Sequence, residues 1–318
     1  ALSDEITLEQ LFDGSSSLEG GSIDFIDSSN NLYLFGDITE YDGYTLQGSR
    51  DLFVSQFSNN GSLYSQQWVS ISGAEVRSAY GTGTGLGSFL YQTGQMNGDI
   101  TGQASQIGQT DIFLGKFSND GDKIFEKLLG TTSQEQGYDI TSDGNQYLYL
   151  IGSTQGSMGS FTNHGNFDPF IKKLDADGNE EWSVLLNGPE RDWAHGIHYH
   201  SDDAIYITGM TNGTIEGEAS NGGRDGYLTK FNSSGTIQWT QMIGGSGTEA
   251  IYGAVSTDSS GTIYLVGITQ GDIYDIEHSG GGWDGFISKY DSDGNRLWSK
   301  SIATTGADIP IDVLVASD

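Results

Sequence analysis

Apolar and polar positions alternate along 281–300, Gly-Gly-Trp-Asp-Gly-Phe-Ile-Ser-Lys-Tyr-Asp-Ser-Asp-Gly-Asn-Arg-Leu-Trp-Ser-Lys, with the period of two that belongs to a β-strand. Phe286, Ser288 and Tyr290 share one face, and Ile287 and Lys289 the other. The Asp-Ser-Asp-Gly-Asn that follows is turn chemistry, and a second strand then carries Trp298, so the stretch reads as a β-hairpin. The same hairpin recurs as Asp51-Leu-Phe-Val-Ser-Gln-Phe, Asp111-Ile-Phe-Leu-Gly-Lys-Phe, Asp168-Pro-Phe-Ile-Lys-Lys-Leu and Asp225-Gly-Tyr-Leu-Thr-Lys-Phe. Its leading aspartates, at 51, 111, 168, 225 and 284, are 60, 57, 57 and 59 residues apart, so a period near 58 governs the chain.

Each repeat holds four strand-like segments. The first is short, as in Gly196-Ile-His-Tyr-His, and a tight polar turn leads to an apolar-Tyr-apolar-apolar-Gly segment such as Ile205-Tyr-Ile-Thr-Gly or Ile263-Tyr-Leu-Val-Gly. A Gly/Ser-rich loop precedes the third, and the fourth brings a bulky ring: Phe125, Trp182, Trp239 or Trp298. Four short antiparallel strands cannot bury both faces of a sheet alone, so neighbouring repeats must stack. Face-to-face stacking of four-stranded units favours a β-propeller over a solenoid. The expected fold is therefore all-β, a propeller of four-stranded antiparallel blades forming one domain over 1–318. Its five full repeats span approximately 22–72, 77–130, 137–188, 195–244 and 252–303. A strand at 6–13 and another at 309–317 remain at the ends, and a six-bladed ring is the alternative.

Composition agrees, since only 35% of residues are hydrophobic while glycine reaches 48 and proline 3. The net charge of −30, from 43 acidic and 13 basic residues, excludes nucleic acid and anionic membranes as partners, because both need a positive surface. No cysteine is present, which removes disulfides and thiolate metal sites. No apolar run of 18 residues exists, so no membrane-inserted helix is expected. Ala1 in place of Met is consistent with a removed signal peptide or with numbering that starts inside a longer chain.

The combination Gly-Gly-x-Asp-x-Phe-Ile-x-Lys-apolar-Asp-x-Asp-Gly-Asn-x-x-Trp, followed by Gly-Gly and a strand ending Ile-Tyr-apolar-apolar-Gly-x-Thr, resembles the bacterial SBBP-type β-propeller repeat family. The resemblance is strongest at 168–188, 222–245 and 281–300. It is weakest in the first two repeats, where Gln56 replaces the usual Lys. It implies a secreted or cell-surface bacterial protein without an assigned enzymatic activity. A similarity to the pyrroloquinoline-quinone type of propeller extends only to scaffold residues, so no organic cofactor is expected.

An acidic residue precedes each first segment: Glu19, Glu75, Glu135, Asp192, Glu249 and Asp308. If first strands line a propeller axis, these carboxylates form a ring that Ca²⁺ would neutralise. The competing reading has each carboxylate capping backbone amides of its own repeat. The Asp-x-Asp-Gly turns at Asp175 and Asp291 are similar to calcium loops but lack the closing Glu, and read as polar hairpin turns. Lys116, Lys173, Lys230 and Lys289 hold one repeated position, where a Lys–carboxylate pair within each repeat is expected.

Ligand contacts are expected from Arg191, Trp193, His198 and His200, the most chemically varied stretch, with Arg224 and Trp283 from the loops. The residue before the repeated Asp is Arg50, Thr110, Phe167, Arg224 or Trp283, so the scaffold keeps Asp while its neighbour varies. Rings and guanidinium groups there suit a glycan or a protein partner. Signatures of triad hydrolases, zinc proteases and phosphate-binding loops are missing. The expected function is a non-catalytic, extracellular or cell-surface binding and adhesion scaffold. The alternatives are a polysaccharide hydrolase or lyase using carboxylates at a channel mouth, and a surface-layer or filament subunit self-associating through its terminal strands.

Overall fold

A computed structural model describes residues 18–26, 31–38, 51–58, 63–69, 75–76, 82–97, 107–120, 122–252, 255–279 and 282–315. Among them every regular element is a β-strand, as the period-two alternation requires. The first sheet runs β1 (Leu18–Ile26), β2 (Leu32–Ile38), β3 (Asp51–Phe57), β4 (Leu63–Val69) in chain order. The second is built from β5 (Glu75–Val76) and β6 (Thr82–Leu86), both on β7 (Phe89–Asn97), then β8 (Asp111–Ser118) and β9 (Lys123–Leu129). The third runs β10 (Glu135–Ser142), β11 (Tyr147–Thr154), β12 (Asp168–Asp175), β13 (Glu180–Leu185).

The fourth runs β14 (Asp192–His200), β15 (Ala204–Thr211), then past the small hairpin β16 (Thr214–Ile215) and β17 (Glu218–Ala219) to β18 (Asp225–Asn232) and β19 (Ile237–Ile243). The fifth places β20 (Glu249–Ala250) and β21 (Val255–Thr257) on β22 (Ile263–Thr269), followed by β23 (Asp284–Tyr290) and β24 (Arg296–Ser301). Five larger antiparallel sheets therefore stand among the described residues, one for each repeat, beside the two-stranded sheet of β16 and β17.

Two expectations shift. Glu75, Glu135, Asp192 and Glu249 each open the first strand of a sheet rather than lying in the loop before it, the ladder already pairing Glu75 with Asn97, Asp192 with Thr211 and Glu249 with Thr269. Residues 309–315 form no strand, and Ile311 and Leu314 stay 73% and 84% exposed, since no neighbouring strand covers them. The strand expected at 6–13 lies outside the described residues.

The chain divides into two compact units, 1–150 with 174–179 and 151–173 with 180–318. In the first, Tyr33, Phe35, Leu90, Phe113 and Phe117 make a buried cluster. In the second, Tyr206, Leu228, Ile263, Leu265, Phe286 and Tyr290 do so, with Trp239 packed against them. Burying each such side chain contributes roughly 1.5–3 kcal/mol, which is how sheets of short strands offset their chain entropy.

At Lys116, Lys173 and Lys230 the repeated lysine reaches into the following repeat rather than staying within its own. Lys116 Nζ donates to the Ala176 carbonyl at 2.7 Å and to Asp177 at 3.3 Å, Lys173 to the Ser233 carbonyl at 3.2 Å, and Lys230 to the Ser292 carbonyl at 3.1 Å. Each acceptor lies in the hairpin turn of the following repeat. The Trp239 indole N–H reaches the same Ser292 carbonyl at 3.3 Å, while Gly294, at φ +85°, sits on the Trp239 ring, where a Cβ would come within 3.0 Å. A ring, a lysine and a left-handed glycine thus clamp one turn.

Candidate functional site

Each leading aspartate precedes an acid by 24 residues: Asp51 and Glu75, Asp111 and Glu135, Asp168 and Asp192, Asp225 and Glu249, Asp284 and Asp308. This fixed spacing is the signal that a repeat-by-repeat reading overlooks. The side chains of Glu19, Asp51 and Glu75 lie outside the described residues, although Glu19 falls on β1 and Glu75 opens β5. In the other four pairs one backbone bond recurs, from the amide of the second acid to the carbonyl just before the aspartate. Glu135 N reaches Thr110 O at 2.8 Å, Asp192 N reaches Phe167 O at 2.9 Å, and Glu249 N to Arg224 O and Asp308 N to Trp283 O are each 2.7 Å.

The carboxylates themselves hold the loops. Asp111 accepts the amides of Ile107 at 2.7 Å and Gly108 at 3.1 Å, and Asp168 those of His164 at 2.7 Å and Gly165 at 3.0 Å. Asp225 accepts the Asn221 amide, and Asp284 the amide and hydroxyl of Ser279. Across each pair, Glu135 accepts the amide and hydroxyl of Thr131 at 2.8 and 2.6 Å, and Glu249 the Gly245 amide at 2.8 Å and the Thr269 hydroxyl at 2.6 Å. Asp308 accepts the Thr304 amide at 2.7 Å, whereas Asp192 reaches the Asn212 amide at 3.3 Å. Gly188 is required beside Asp192, because a Cβ there would lie 2.0 Å from Oδ2.

Burial sets the charge state. Asp111, Glu135, Asp168, Asp192, Asp225 and Glu249 are all fully buried, so ionising both members of a pair is costly. Burial pushes the Asp192 carboxyl up to about 6, partly offset by Thr211 and the Asn212 amide and reinforced by Asp168 and Glu190. Asp111 and Asp168 are raised by burial against the pull of their loop amides. Asp225 and Glu249 are both raised, burial being the first cause of each. Asp284 goes the other way: burial opposes its charge, but Ser279 and His278 outweigh it and lower its pKa.

Of the acids read as a cation ring, Glu135, Glu249 and Asp308 use their oxygens on loop amides and hydroxyls, and Asp192 offers Oδ1 to the Asn212 amide. No group of three or more His, Asp or Glu that could hold a metal ion is present among the described residues. The two Asp-x-Asp-Gly turns are likewise filled from within. Asp175 Oδ1 accepts Asp177 N and Asn179 N at 2.9 and 2.8 Å, and Asp291 Oδ1 accepts Asp293 N and Asn295 N at 3.0 and 2.8 Å.

The pinned loops bring together the residue before the aspartate and the residue before its partner acid: Thr110 with Gln134, Phe167 with Arg191, Arg224 with Thr248, Trp283 with Ala307. In the second unit this joins three of the expected ligand contacts. The Arg191 guanidinium lies 4.8 Å from the Phe167 ring and 4.7 Å from the Trp193 ring, and Arg224 lies 5.1 Å from Trp193. Arg224 Nε donates to Asn212 Oδ1 at 3.1 Å, whereas Arg191 makes no ion pair among the described residues. Trp193, Tyr252 and Trp283 pack against the buried Met210, Ala250 and Ile268. His195 stacks edge-on to Tyr252 at 5.5 Å, and burial together with the Arg224 charge lowers it to about 4, so it is neutral.

His198 and His200 do not join this cluster. Both bond the Thr257 hydroxyl, at 2.8 and 2.9 Å, and burial and the His200 charge lower His198 to about 4. Their shared strand face serves packing between β14 and β21.

No family model matches the chain, so the SBBP resemblance rests on the repeated residues themselves. Over 168 residues, 48% of the chain, it is 27% identical to the regulatory protein FlaEY of Caulobacter vibrioides. Over 203 residues, 52% of the chain, it is 22% identical to an uncharacterized WD repeat-containing protein of Acanthamoeba polyphaga mimivirus. The chain spans 18% and 14% of the lengths of these two relatives. Among solved structures, an apocarotenoid oxygenase mutant from Synechocystis matches with a TM-score of 0.53 at 11% identity, covering 93% of this chain and 64% of that one. A DUF4221 family member from Bacteroides vulgatus matches with a TM-score of 0.46 at 10% identity, covering 91% of this chain and 83% of that one. At such identity the oxygenase likeness concerns fold alone: the chain is an all-β repeat protein of four-stranded antiparallel sheets, similar to propeller-like folds.

Proposed function

We propose that the chain is a non-catalytic, extracellular or cell-surface binding scaffold whose second unit contacts a carboxylate-bearing glycan through Arg191, Trp193, Arg224 and Trp283. The observation that carries this reading is the Arg191 guanidinium, held between two rings and unmatched by any acid of the described residues in a chain with 43 of them. A planar fork of N–H donors beside indole faces suits a uronate: the fork takes the carboxylate and the rings take the sugar's C–H face. The repeated carboxylates support binding over catalysis. Asp111, Asp168 and Glu249 are buried and spend lone pairs on loop amides, which leaves them poorly placed to protonate a glycosidic oxygen.

Screening on a glycan array tests this. Wild type is expected to retain uronate-containing glycans and Trp193→Ala to lose them. Retention only of uncharged glycans, or equal retention by the variant, overturns the reading, and release of new reducing ends would favour a hydrolase.

A further inference from the structure

In the first unit the same sheet-end positions carry a different chemistry. A cleft of about 650 Å³ is lined by Gln95, Asn97, Gln109, Thr110, Gln134 and Gln136. Thr110 and Gln134 are the two display positions of their repeat, joined beneath by the Glu135 to Thr110 backbone bond of 2.8 Å. Gln136 occupies the repeat position of Trp193, and Gln95 that of Met210. Where one repeat has rings and guanidinium groups, this one has carboxamides.

None of these side chains carries a charge, and none presents a large apolar surface. Two of the amides are oriented by neighbours. Gln134 Nε2 donates to Gln109 Oε1 at 2.9 Å, and the Tyr138 hydroxyl donates to Gln136 Oε1 at 2.7 Å, which leaves the amide nitrogen as the group Gln136 offers. Gln95 Oε1 is buried with no hydrogen-bond partner. A buried acceptor of this kind calls for a donor.

We propose that this cleft binds a neutral hexose unit of a glycan. Carboxamides both donate and accept, which matches vicinal hydroxyl groups. A charged ligand would meet no counter-charge here, and a peptide would find no apolar pocket for its side chains. The site is separate from the guanidinium cluster and stands on its own observations.

The test uses the whole chain and calorimetric titration with neutral tetrasaccharides of gluco, manno and galacto configuration, beside a hexuronate tetramer and a mixed peptide library. At least one neutral tetrasaccharide is expected to bind saturably. Gln134→Ala and Gln136→Ala, both at partly exposed positions, are expected to weaken it by about fivefold to tenfold with unchanged melting curves. Arg224→Ala should leave it intact while removing uronate binding. Absence of binding by every neutral tetrasaccharide overturns the proposal. So does affinity that survives both Gln134→Ala and Gln136→Ala, or preference for the peptides.

Discussion

The backbone amide of Asp192 donates to the carbonyl of Phe167 at 2.9 Å, 25 residues upstream. That bond ties the start of one sheet to the loop that enters the third strand of the sheet before it, and the buried Asp168 and Asp192 carboxylates hold the flanking chain. The loop backbone is thereby fixed while Phe167 and Arg191 are left free to vary in sequence, so one scaffold can carry amides in one repeat and guanidinium groups in another.

The buried acids make stability depend on pH. The Asp192 carboxyl titrates at about 6 in the fold against an ordinary 3.8, so the folded state holds this proton more tightly than the unfolded chain. The stabilising effect is present below pH 3.8 and is lost as pH rises through 6. A shift of this size amounts to about 3 kcal/mol. Asp192→Asn should therefore gain on wild type by up to that amount between pH 4 and 7, with a constant difference above 7, measured by urea unfolding. A pH-independent difference would show that the carboxyl is ionised in the fold.

His195 and His198 act in the opposite sense. Both are lowered to about 4, burial being the main cause, so the unfolded chain takes up protons first as pH falls from about 6.5. Stability should drop over that interval, and His198→Gln should flatten the drop. Thr257→Val, which removes the hydroxyl bonded to both His198 and His200, should cost about 1–3 kcal/mol at pH 7. A loss below about 0.5 kcal/mol would mean that the histidines find other partners.

The clamp between repeats can be opened at one bond. Lys230→Met keeps the aliphatic stem near Tyr206 and deletes the donor to the Ser292 carbonyl. The expected destabilisation is about 1.5–3 kcal/mol, the range for a hydrogen bond to a charged group. Gly294→Ala should cost a comparable amount, because its φ of +85° and the nearby Trp239 ring both oppose a Cβ. Unchanged denaturation midpoints would remove the clamp from the account.

Glu135, Glu249 and Asp308 already have loop amides and hydroxyls as partners for their carboxylates. A chelator should therefore leave the melting temperature within about one degree of its value in millimolar Ca²⁺, far less than the several degrees that 1 kcal/mol produces in a small domain. A larger rise with Ca²⁺ would restore the cation ring that spans Glu19 to Asp308.

Strands and repeats were legible because alternation and a 58-residue period are local or evenly spaced signals. Phe286 to Tyr290 and Asp225 to Phe231 needed no tertiary information to be recognised as strands. The Arg191, Trp193 and Arg224 grouping was legible in part, since all three fell near variable loops. What escaped was partnership across the chain. Nothing at Lys230 indicates that its acceptor is a carbonyl 62 residues on, and nothing at His198 indicates Thr257. The amide cleft escaped because glutamine has no motif. Its members become a site only when the bridge from Thr110 to Gln134 brings them together.

The proposed function rests on Arg191, Trp193 and Arg224 as a ligand surface at the pinned sheet ends. Calorimetric titration of a hexuronate tetramer into wild type and into Arg191→Ala/Arg224→Ala tests it most directly. Saturable binding to wild type is expected, with at least a tenfold weaker affinity in the variant, about 1.4 kcal/mol, and matching melting curves. Equal affinity in the two proteins, or no heat with either, would contradict it.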